Sequence, residues 1–152
     1  MDVIELLEKK AGEIVDVATD AVMGAHLRHY ESVHPEQTRQ RLEALCDITL
    51  GCLKTKSAAP MIKYAEKIAG QRFTSGFSLS EVQRAFNVLE ESIWSQILDQ
   101  MKPDEYATAV ALVSTALRIG KESVARIYFS LISRTNVPSL DIKAAFADAQ
   151  DA

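Results

Sequence analysis

Little in this chain interrupts a helix. Four prolines and six glycines are spread over 152 residues, and the prolines and Gly76 fall at breaks between apolar-periodic segments. Cysteine is nearly absent. Cys46 and Cys52 stand six residues apart in one segment, about 120° off a shared helix face, so they do not easily pair. A lone C-x5-C is no metal motif, and the two read as small core residues, with a reactive thiol as the alternative. No excess of basic charge exists. The net charge is -4, and Lys54, Lys56 and Lys63 lack interleaved aromatics, which argues against nucleic acid and an anionic membrane as partners. No apolar run approaches the roughly 18–20 residues of a membrane span. The start, Met1-Asp2-Val3-Ile4-Glu5, lacks a basic region followed by an apolar one, so the expected location is cytoplasmic.

Catalytic patterns are missing too. No Ser-His-Asp order or nucleophile elbow is present, and Gly76 has no glycine partners at phosphate-loop spacing. Glu90 and Glu91 are adjacent and point about 100° apart on a helix, so they cannot act as a paired acid and base. They read as surface charges. The expectation is a protein that is not an enzyme and has no cofactor.

What is present is helical periodicity. The length suits one domain that buries about two thirds of its unfolded surface. Apolar positions predict a single all-α bundle of about five main helices plus a short C-terminal one. The first runs from residue 2 to about 24, with Ile4, Leu7, Ala11, Ile14, Ala18 and Ala21 on its stripe. Pro35 suits the first turn of the second, where Leu42, Leu45, Thr49 and Cys52 share a face flanked by Cys46, Leu50 and Leu53. Residues 54 to 59 read as a loop. Pro60 opens the third helix, with Met61, Ala65, Ile68 and Ala69 inward and Phe73 near its end. The fourth runs from Ser78 to about Met101 on a stripe of Leu79, Val82, Phe86, Leu89, Ile93 and Ile97, widened by Trp94 and Leu98. Pro103, Asp104 and Glu105 open the fifth, with acids where the helix dipole favours them.

The fifth helix has the most regular pattern. Tyr106, Val110, Val113, Leu117, Gly120, Val124, Ile127 and Leu131 alternate steps of four and three, as in a helix packed along a near-parallel neighbour. Ala109, Leu112, Ala116 and Ile119 form a second row. Two rows require two neighbours, and a homodimer built on helices four and five is expected. Gly120 suggests close helix–helix approach, with a hinge as the alternative. We divide the chain into a regulatory bundle, 1–135, and a tail, 136–152, whose Ile142, Ala145, Phe146 and Ala149 line one side of a short helix.

The turn between helices three and four is closely specified. Gly76 can take the left-handed conformation that ends a helix. Ser78 and Glu81 have capping-box spacing, and Phe77 and Val82 that of a hydrophobic staple. Arg72 precedes the turn, either bonding carbonyls or Glu81, or gripping a ligand. His26, His29 and His34 fall within nine residues, and His26 and His29 share a helix face. A bundle metal site draws ligands from several helices, so no metal is assigned. A small-ligand or metal-sensing pocket near His26, His29 and Trp94 is the alternative function.

Several of these residues also carry a resemblance. Tyr64-Ala65-Glu66-Lys67-Ile68-Ala69, Arg72, Gly76 to Val82, Leu89 to Trp94 and Ile127-Tyr128 make the stretch 41–132 resemble the N-terminal domain of RsbT co-antagonist proteins of the RsbRD type. The resemblance implies an all-helical input or dimerisation domain of bacterial stress signalling, non-enzymatic and acting through protein partners. Such domains usually precede a STAS domain or a kinase, and neither is encoded in these residues. The resemblance therefore implies a free-standing version acting on a partner, or one whose output domain was lost.

Overall fold

The computed structural model describes residues 1–24 and 35–136, with side chains through Arg134. Five helices carry the fold: α1 Val3–Gly24, α2 Pro35–Thr55, α3 Ala59–Thr74, α4 Leu79–Gln100 and α5 Tyr106–Asn136, with a 3-10 turn at Pro103–Glu105 leading into α5. No strand occurs among the described residues. The predicted tail helix lies outside them.

Each helix buries the face its sequence marks. On α2, Leu42, Leu45, Thr49 and Cys52 are buried, and Cys46 and Leu53 join them. On α3 the buried set is Met61, Ala65, Ile68 and Ala69. α1 departs from expectation, because it packs against both α2 and α4. Its covered arc takes in Leu6, Val15 and Val22, while Ala21 is exposed. α4 is likewise held on two sides, by α1 and α5. That wide arc buries Glu90, which is 9 % exposed and so not the surface charge its sequence suggests; Glu91 is exposed. Leu98 falls outside the arc at 58 % exposure, so it does not widen the stripe.

Specific contacts set the helix directions. Arg39 pairs with Asp16 at 2.9 Å and Lys54 with Glu8 at 2.8 Å, which fixes α1 and α2 antiparallel. The Trp94 indole donates to Ser114 and Lys121 donates to Asn87, which does the same for α4 and α5. Ser92 donates to the Ile14 carbonyl at 2.8 Å and ties α4 to α1. α3 runs parallel to α5. Its first turn meets Gly120, where a Cβ would lie 2.8 Å from Met61 Sδ and 2.7 Å from Phe86 Cε1. Its last turn sets the Phe73 ring edge-on to Tyr128, 5.5 Å between centroids. Gly120 therefore marks a close approach of three helices.

α3 has 16 residues and α5 has 31, so α3 covers only the second half of its neighbour. The first half of α5 extends beyond it, beside the ends of α1 and α2.

Candidate functional site

An open feature follows from that mismatch in length. A groove of about 860 Å³ runs along the first half of α5. Its floor is Ala107, Thr108, Ala111, Leu112 and Thr115, and its wall is Ile4, Leu53 and the α2–α3 connection Lys56-Ser57-Ala58. The floor is shallow because most of its side chains are small. Leu112 stands out of it at 48 % exposure. In this second apolar row of α5, Ala109 and Ala116 are buried while Ile119 is half-buried, so the row splits between core and groove.

Backbone geometry stiffens the wall. The Ser57 N–H donates to the Cys52 carbonyl at 3.2 Å, which closes the end of α2 and puts Lys56 in the left-handed region at φ 53°. A non-glycine residue there costs about 1–2 kcal/mol. The expected loop is thus only Lys56 to Ala58, since α2 continues through Thr55. Cys52 lines the groove yet is buried and free, and burial raises its thiol pKa. Burial also pushes Cys46 up to about 12, with the nearby Asp47 charge adding to it. Both shifts run against formation of the reactive thiolate.

The α3–α4 turn closes the opposite end of α3. Gly76 has φ 88°. The Phe77 N–H donates to the Arg72 carbonyl at 3.0 Å and the Gly76 N–H to Phe73 at 3.1 Å, the double bond pattern of a Schellman motif. Ser78 Oγ accepts from the Glu81 N–H at 3.2 Å, while Glu81 accepts from the Ser78 N–H at 3.0 Å. Phe77 and Val82 are both buried. Sequence reasoning missed the anchor of this turn. Tyr128 is buried in the core, and its hydroxyl donates to the Phe77 carbonyl at 2.9 Å. Burial pushes its phenol up to about 12. The i+4 step from Val124 signals that Tyr128 faces the core, but not its partner 51 positions away.

Beside the turn lies a small cavity lined by Thr38, Arg41, Tyr64 and Arg72. The Arg41 guanidinium sits over the Phe77 ring, 5.6 Å from its centroid. No carboxylate among the described residues is within ion-pair distance of Arg72. Burial raises the Tyr64 phenol, and the Arg72 and Arg41 charges oppose that rise. With a volume of about 20 Å³, this cavity has room for a water-sized group and no more.

The remaining candidates do not converge. His26, His29 and His34 lie outside the described residues. Trp94 is half-buried between α4 and α5, bonded to Ser114. Among the described residues, no three His, Cys, Asp or Glu side chains gather as a metal site, and no helix is long and apolar enough to cross a membrane.

The described residues thus form a capped all-α bundle with an open groove along α5. The chain belongs to the family of the RsbT co-antagonist protein RsbRD N-terminal domain, whose model matches residues 9–129. The match starts earlier than the stretch 41–132 expected from the motifs, so it takes in most of α1. It also includes the turn and the whole groove floor. The family is one of stress-signalling regulation. No curated protein and no solved structure matches the chain significantly.

Proposed function

We propose that this domain works without catalysis, by protein–protein contact, and that the contact surface is the groove along the first half of α5. The observation that carries the reading is the groove itself. It is open and mostly apolar, has a small-residue floor and holds one protruding leucine, Leu112. Exposed apolar surface of this kind marks an interaction site. An amphipathic helix laid in such a groove is a recurrent recognition mode. Signalling by contact also fits a family named for antagonism of another protein.

The test is in cells that depend on this domain for their stress response. Ala111→Arg fills the floor and Leu112→Glu charges the knob. Both sites are exposed, so each variant should melt within about 0.5 kcal/mol of the parent. Stress-response output should nevertheless be lost at unchanged chain level. Normal output from both variants would contradict the reading.

A further inference from the structure

We infer that the small cavity beside the α3–α4 turn is a binding site for a single-atom anion, chloride, held by Thr38, Arg41, Tyr64 and Arg72. The site lies at the opposite end of α3 from the groove, so the two stand or fall separately.

The lining is built for an acceptor. Thr38 stands in the first turn of α2, Arg41 follows it by three residues, and Tyr64 and Arg72 come from α3. A guanidinium only donates hydrogen bonds, and a hydroxyl or phenol can donate one. Every other described side chain in the lining is apolar. Four donor groups therefore share a space in which no described carboxylate or amide side chain answers them.

Thr38 points to a ligand by itself. It is 1 % exposed, and its hydroxyl has no hydrogen-bond partner among the described residues. A helical threonine can bond the carbonyl four residues back. Thr19 does so at 2.7 Å, and Thr49 and Thr55 do so at 2.8 Å. Thr38 lies too near the start of α2 to have a helical carbonyl at that position. A buried hydroxyl left in this state costs stability, and a bound acceptor removes the cost.

Charge favours an anion over water. The Arg41 and Arg72 charges both act on the Tyr64 phenol. Arg41 stacks over Phe77, and no described carboxylate lies within ion-pair distance of Arg72. Glu81, the acid of the adjoining turn, accepts from the Ser78 N–H and is not part of the lining. Two cations beside a partly buried space attract an anion more strongly than they would in open water. Size then selects the class. A volume of about 20 Å³ suits chloride, which is close to water in size, and is too small for phosphate or sulfate. Bound there, chloride links the start of α2 to the end of α3.

The experiment is urea unfolding of the full chain at fixed ionic strength, with chloride replacing the larger anion gluconate. Above its Kd, each tenfold rise in chloride should lower the parent's unfolding constant by close to tenfold. Thr38→Val and Arg72→Gln should each raise the Kd for chloride at least tenfold. Thr38→Val loses only an unpartnered hydroxyl, so without chloride it should unfold no more readily than the parent. That variant thus separates a lost ligand from a damaged fold. In crystals grown with bromide, the anomalous signal should lie between Thr38, Tyr64 and Arg72. A parent that does not distinguish chloride from gluconate overturns the inference. So does a chloride effect that both variants keep in full, which would be a general salt effect, or a cavity that takes no bromide.

Discussion

The two halves of α5 share one heptad pattern and have different fates. In the second half, Leu117, Gly120, Val124 and Tyr128 are buried under α3 and α4. In the first half the same helix buries Ala109 and Val113 on one side and leaves Ala111, Leu112 and Thr115 open on the other. Composition accounts for part of the contrast. The buried half carries large side chains and one glycine placed for close approach, whereas the open half carries alanine and threonine. The lesson is that a helix longer than its neighbour has spare face, and the residues on that face show what it can accept.

The largest expected effect breaks the comparison most plainly. Leu117→Ala deletes a fully buried side chain and should cost about 2–5 kcal/mol in urea unfolding. Leu112→Ala, one and a half turns away, should change stability by less than about 0.5 kcal/mol. Equal costs would mean that the first half is also core. Gly120→Ala comes next. The added methyl meets Phe86 and Met61, so overpacking of about 1–3 kcal/mol should exceed the gain of about 1 kcal/mol in helix propensity. A stabilised variant would mean the three helices have slack.

Smaller effects sharpen the picture. Tyr128→Phe should cost about 1 kcal/mol by leaving the Phe77 carbonyl without its donor. The same phenol and the Cys46 thiol keep their protons in the folded chain up to about pH 12. In the unfolded chain both lose them near their ordinary values, roughly 10 and 8.5. The unfolded state then binds fewer protons, so stability should be flat near neutrality and fall progressively from about pH 9 towards 12. Melting temperatures across that range check it, and Tyr128→Phe should flatten the decline. Ser78→Ala should cost about 1 kcal/mol through the lost cap. Lys56→Gly should raise stability by about 1 kcal/mol, because it relieves the left-handed strain. A destabilised Lys56→Gly would mean the lysine contributes more than its backbone strain costs.

Much of this was legible in the chain. The stripes of α2 and α3 match the buried residues, because each buries one contiguous face and periodicity reports that directly. α1 and α4 were read too narrowly. Each buries an arc wider than one stripe, and a single stripe does not show that Leu6 or Glu90 will be covered. The S-x-x-E spacing at Ser78 lies where the capping box forms, since cap chemistry is local. Tyr128 was not recognised as the anchor of that turn, because its bond to Phe77 spans 51 positions and no local pattern encodes it. The groove was only half visible. The second apolar row on α5 signalled an extra neighbour, but the opening depends on where α3 begins relative to Gly120, which is a tertiary fact.

The central claim is that the second half of α5 holds the domain together while the first half is a surface that fills on association. Amide hydrogen exchange along α5 tests it most directly. Amides around Leu117 to Tyr128 should exchange slowly, as core helix does. Amides around Ala107 to Thr115 should exchange faster. Uniform protection along α5 would contradict the account.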